Sequence, residues 1–128
     1  MSNPDQFVVL EGNSLAVMAW VTGLDATPIT QASVPGVGGI TREIRNRTLG
    51  TVLNTDSLAV STVIYNTAQT GKGWPAVYTT GFNWRDLISG VNWTGLDADT
   101  EVQIVYSFED AAGMPIVWQT EPFQVENL

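Results

Sequence analysis

The 128-residue sequence contains no cysteine and no histidine. Without cysteine there is no disulfide, no thiolate nucleophile and no thiolate-ligated zinc. Without histidine, the side chain that serves most often as general base and transition-metal ligand is missing. No apolar run reaches the roughly 18 residues of a transmembrane helix. These absences leave few routes to catalysis and predict no membrane-spanning helix.

Charged residues are few, and most of them are acidic. Only 14% of the residues are charged, and 5 Lys+Arg stand against 13 Asp+Glu. The net charge of −8 disfavours binding to nucleic acid or to an anionic membrane, because phosphates attract lysine and arginine. The first residues show no basic segment followed by a long apolar run, so we expect synthesis in the cytoplasm without a signal peptide.

Turn residues are abundant between short apolar runs. Gly, Asn, Thr, Ser and Asp interrupt the chain roughly every eight to twelve residues, which is typical of a sandwich or barrel of short strands. The length fits a single domain over residues 1–128. Apolar residues alternate most clearly over 102–108 and again over 116–118. Pro122 breaks this alternation and predicts a bulge near Glu121-Pro122.

Other segments predict further elements of the same kind. Strands are expected over 15–22 and 40–47 and around Phe82 and Trp84, with a turn at Gly50. One short helical turn is expected after an N-cap at Ser61 or Thr62.

Residues 95–104, Gly-Leu-Asp-Ala-Asp-Thr-Glu-Val-Gln-Ile, resemble the E–F corner of a fibronectin type III or immunoglobulin-like domain. Leu96 and Thr100 match the family pattern. Val102 stands where the family usually has tyrosine, so the corner hydrogen bond of that tyrosine is absent. The resemblance covers Trp93 to Val125. It implies an all-β, Ig-like or fibronectin-like antiparallel β-sandwich of about seven to eight short strands.

The order of segments over the whole chain is similar to that of small β-sandwich proteins of bacteriophage virions. The segments are LAVMAWVTG, PITQASV, GGITREIRN, STVIYNTAQT, TGFNWRDLI and VQIVYSFEDAAGMPIVWQTEPFQV. The resemblance implies a non-enzymatic virion protein, of the capsid decoration (cement) or head–tail accessory type. Its expected partners are copies of itself and neighbouring capsid or tail subunits, without nucleic acid, membrane or cofactor. The expected location is the virion.

Asp97, Asp99 and Glu101 place three carboxylates at alternate positions. On an extended loop they would lie on one side, where they could share a Ca²⁺ ion, which prefers several hard oxygens. The alternative is an acidic turn before a strand, and the glycine and glutamate of an EF-hand loop are missing. No pair of carboxylates is singled out by spacing, and Lys72 lies between two glycines, so no catalytic residue is expected.

Trp74, Tyr78 and Trp93 lie in loop-like contexts. Exposed tryptophan usually marks a contact surface. A protein interface is one interpretation. A sugar-stacking platform, and therefore a carbohydrate-binding or adhesion module, is the alternative. Burial of these rings beneath loops is a third.

Arg42, Arg45 and Arg47 bring three of the five basic residues into six positions. Such one-sided charge suits head-to-tail self-association, in which this strip meets an acidic rim on the next copy. The rim includes Asp97, Asp99, Glu109 and Asp110. Local pairing, for example with Glu43, is the alternative.

Residues 1–12 are a candidate for an extended N-terminal arm. Its apolar run, Phe7, Val8, Val9 and Leu10, is predicted to add as a strand to an adjacent subunit. The alternative is an edge strand of the same molecule.

Overall fold

A computed structural model describes residues 8–10, 14–23, 26–34, 39–72, 74, 81–93, 96 and 100–126. Within these ranges the chain forms nine strands, one four-residue helix and two 3-10 turns. The strands are β1 (Val8–Leu10), β2 (Leu15–Ala19), β3 (Ile40–Asn46), β4 (Thr51–Leu58), β5 (Ile64–Gln69), β6 (Phe82–Ile88), β7 (Thr100–Glu109), β8 (Pro115–Gln119) and β9 (Phe123–Glu126). The helix is α1 (Val60–Val63), and the 3-10 turns are Gln31–Ser33 and Gly90–Trp93. No helix in this part of the chain is long and apolar enough to cross a membrane.

The strands form two sheets that pack face to face. The larger sheet has the order β1-β9-β7-β3-β4, with β8 also paired to β7, and the smaller has the order β2-β6-β5. Every strand pair is antiparallel except β1–β9, which is parallel. In immunoglobulin terms, β2, β6 and β5 correspond to strands B, E and D, and β3, β7 and β8–β9 to strands C, F and G. The expected Ig-like sandwich is confirmed.

Strands β8 and β9 are two halves of one strand along the same edge of β7. Val105 pairs with Gln119, whereas Val102 pairs with Phe123, so the β8–β9 side contains one residue more than β7. At this bulge the Thr120 N–H donates to the Ile104 carbonyl (2.9 Å), and the Ile104 N–H donates to Thr120 Oγ1 (3.1 Å). The bulge predicted near Glu121-Pro122 is confirmed.

The β3–β4 hairpin turns at Gly50, as expected. Gly50 has φ +73°, which glycine adopts without strain. Its N–H donates to the Asn46 carbonyl (2.8 Å), while Asn46 Oδ1 accepts the Leu49 N–H (3.0 Å). The register changes by one residue within β4, which makes a second bulge at Leu53.

The short helical turn is confirmed as α1, but the predicted N-cap is wrong. The N-cap is Ala59, whose side chain offers no cap. The Thr62 N–H and hydroxyl both donate to the Ala59 carbonyl (3.1 and 2.7 Å).

Side chains from both sheets fill the space between them. Trp84 on β6 contacts Tyr106 on β7 edge to face, with ring centroids 4.9 Å apart, and Tyr106 stacks on Trp118 at 4.7 Å. The Ile44 and Ile104 side chains are fully buried beside them. Leu96 and Thr100, the residues that match the E–F corner pattern, lie between β6 and β7 as an E–F connection requires. Leu96 packs against the core, and Thr100 is buried.

Candidate functional site

Trp93 is a core residue, and its prediction as an exposed interface residue is wrong. It ends the 3-10 turn Gly90–Trp93 and has 0% exposure. Its ring packs edge-on against Phe123 of β9, with centroids 6.1 Å apart. Its neighbours along the chain are polar, but a 3-10 turn can direct one side chain inward. The Trp93 ring is therefore not available at the surface to another protein or to a sugar.

Trp74 is half-buried and covers Phe82. The two ring centroids lie 5.6 Å apart, and Tyr65 contacts the same Phe82 ring edge-on at 5.6 Å. Tyr78 lies outside the described residues. Of the three residues proposed for a sugar-stacking platform, Trp74 alone is partly exposed within the described chain.

The three arginines do not form one exposed strip. Arg42 is buried, because it points inward from β3 between two buried isoleucines. Arg45 is exposed and binds Glu43, with Nη2 and Oε1 2.7 Å apart, so the alternative of local pairing is correct for this residue. Arg47 is exposed, and its Nη1 donates to Gln103 Oε1 (3.0 Å). Arg42 is therefore not an exposed interface residue, and its prediction as one is wrong.

The buried Arg42 forms an ion pair that joins the two sheets. Its Nη1 donates to both carboxylate oxygens of Asp86 on β6, each at 2.9 Å. Its Nη2 donates to Asp56 Oδ2 on β4 (2.8 Å). The Tyr106 hydroxyl donates to Asp86 Oδ2 (2.7 Å). The network therefore connects β3, β4 and β7 of the larger sheet to β6 of the smaller one.

Burial and mutual charge fix the protonation of this network. Burial alone lowers the pKa of Arg42, but the hydrogen bond and charge of Asp86, together with the hydrogen bond to Asp56, outweigh it and leave that pKa raised. Burial raises the pKa of Tyr106 strongly, and the neighbouring Asp86 carboxylate raises it further. Arg42 therefore remains cationic and Tyr106 neutral at physiological pH.

Among the charged groups of this network, only Asp56 reaches the surface, and the buried Nε of Arg42 has no hydrogen-bond partner. The Arg42 and Asp86 side chains are 8% and 5% exposed, against 44% for Asp56. Asn54 Nδ2 donates to Asp56 Oδ2 (3.0 Å) and to Asn92 Oδ1 (2.8 Å), which ties the Gly90–Trp93 turn to β4. Asp86 already accepts three hydrogen bonds, so the geometry suits a structural link between the sheets better than proton transfer.

Only part of the predicted calcium site can be located. Asp97 and Asp99 lie outside the described residues. Glu101 is on β7, where its N–H donates to Thr48 Oγ1 (2.9 Å) and its carbonyl accepts the Arg47 N–H (2.7 Å). Within the described ranges, no group of three or more His, Cys, Asp or Glu could hold a metal ion. The calcium site stays a prediction.

The N-terminal strand belongs to its own molecule. β1 pairs in parallel with β9, Val8 opposite Gln124, Val9 opposite Val125 and Leu10 opposite Glu126. The structure therefore contains the alternative, an intramolecular edge strand, and addition of this strand to an adjacent subunit stays a prediction. Phe7 lies outside the described residues.

The structure reveals an exposed apolar set that the sequence patterns did not single out. In the described part of the chain, six large apolar side chains are more than half exposed: Leu49, Val52, Leu87, Val91, Met114 and Val117. Leu49 and Val52 lie on or beside β4, and Met114 and Val117 on or beside β8. Outward positions on strands and turns expose these residues, so their apolar character alone could not reveal them.

The fold and these surfaces define an Ig-like β-sandwich with a buried ion pair between its two sheets and exposed apolar side chains at β4 and β8. The sequence matches no protein-family model and no curated protein, and no solved structure matches the fold.

Proposed function

We propose that this chain is a non-enzymatic structural protein that works through contacts between protein subunits. Its role would be that of a capsid decoration or head–tail accessory protein of a phage-type virion. The partners would be copies of itself and neighbouring capsid or tail subunits.

The observation that carries the proposal is the placement of exposed apolar side chains. Two lie at β4 and two at β8, and these strands border the larger sheet. Apolar residues that gather at sheet margins favour burial against another protein surface, because each removes apolar area from water on contact.

The buried ion pair supports the same proposal. Arg42 and Tyr106 both donate hydrogen bonds to Asp86 inside the sandwich, so the Asp86 carboxylate is fully engaged, while Arg42 Nε has no hydrogen-bond partner. An ion pair that holds the two sheets together suits a protein whose shape must persist when neighbouring subunits bind to it. The virion assignment itself rests on the similarity of segment order and on the Cys-free, weakly charged composition.

The experiment is to collect phage-type particles from a culture in which the chain is synthesised, band them in a density gradient and quantify the chain by mass spectrometry. The proposal predicts that the chain bands with the major capsid or tail protein at a fixed ratio and withstands a salt wash. The control is an abundant host cytoplasmic protein, which should be lost from the same band.

Synthesis of the chain in those cells without its appearance in the particle band would contradict the virion role. A glycan array on the purified chain tests the alternative. Specific glycan binding lost in Trp74→Ala would favour the carbohydrate-binding module instead.

A further inference from the structure

We draw no further inference here: the strongest candidate, the outer face of the smaller sheet, where Arg85 has a buried Nε without a hydrogen-bond partner and the nearby Leu87 is 60% exposed, carries none because nothing in the structure shows what covers this face.

Discussion

Substitution of Asp86 by asparagine tests whether the buried ion pair holds the two sheets together. The change keeps the size of the side chain and removes its charge. Arg42 then loses its main counter-ion in a site where both side chains are less than one-tenth exposed. Tyr106 must share the single remaining carbonyl oxygen with Arg42.

The magnitude follows from the burial of the pair. Removing one partner of a buried ion pair costs about 3–5 kcal/mol, because the other charge stays uncompensated. Asparagine retains one acceptor and Arg42 retains Asp56, so we expect the lower end, about 3 kcal/mol. With an unfolding entropy of about 2.1 cal/mol/K per residue, this lowers the Tm of the 128-residue chain by about 11 °C.

The assay is urea unfolding followed by tryptophan fluorescence, with a thermal melt in parallel. Glu43→Gln is the matched control, because it removes the carboxylate of the exposed Arg45–Glu43 pair. That variant should lose less than about 1 kcal/mol, as surface pairs do. An Asp86→Asn variant as stable as Glu43→Gln would refute the role of the pair as a link between the sheets.

Three further substitutions test other parts of the account. The folded chain holds the Tyr106 proton above its ordinary pKa of about 10, so stability should fall as pH rises past that value. In Tyr106→Phe the urea midpoint should fall less between about pH 9 and about pH 11 than in the unmodified chain. An equal fall in both proteins would contradict the role of Tyr106. Gly81→Ala should destabilise the chain more than Gly113→Ala in thermal melts. Both glycines have positive φ, but an added Cβ at Gly81 meets the Gln69 carbonyl oxygen at 2.5 Å and at Gly113 meets nothing. Trp93→Ala should lower the free energy of unfolding, measured in urea, by about 3–5 kcal/mol. A variant as stable as the unmodified chain would contradict the burial of Trp93 in the core.

Local patterns predicted the strands and their interruptions well. The alternation over 102–108 required an extended chain with one buried face, and it corresponds to β7. Pro122 cannot donate to a strand ladder, so the interruption between β8 and β9 could be read directly from the sequence. The E–F corner pattern likewise fell between β6 and β7, where an immunoglobulin-like chain passes from one sheet to the other.

The contacts between sheets could not be predicted in the same way. Arg42 stands between Ile40 and Ile44, an inward position that calls for a buried carboxylate, and Asp86 occupies the matching inward position of β6. These residues are 44 positions apart, and nothing local specifies which strands of the two sheets face each other. Trp93 had polar neighbours that suggested a loop, and packing against Phe123 decided its orientation instead.

The mass of the unmodified chain in solution, measured by sedimentation equilibrium over a wide concentration range, tests the central claim most directly. A protein that works through contacts with copies of itself should show a weight-average mass that rises with concentration past twice that of one chain. A mass that stays at the 13.8 kDa of a single chain at every concentration would contradict the claim.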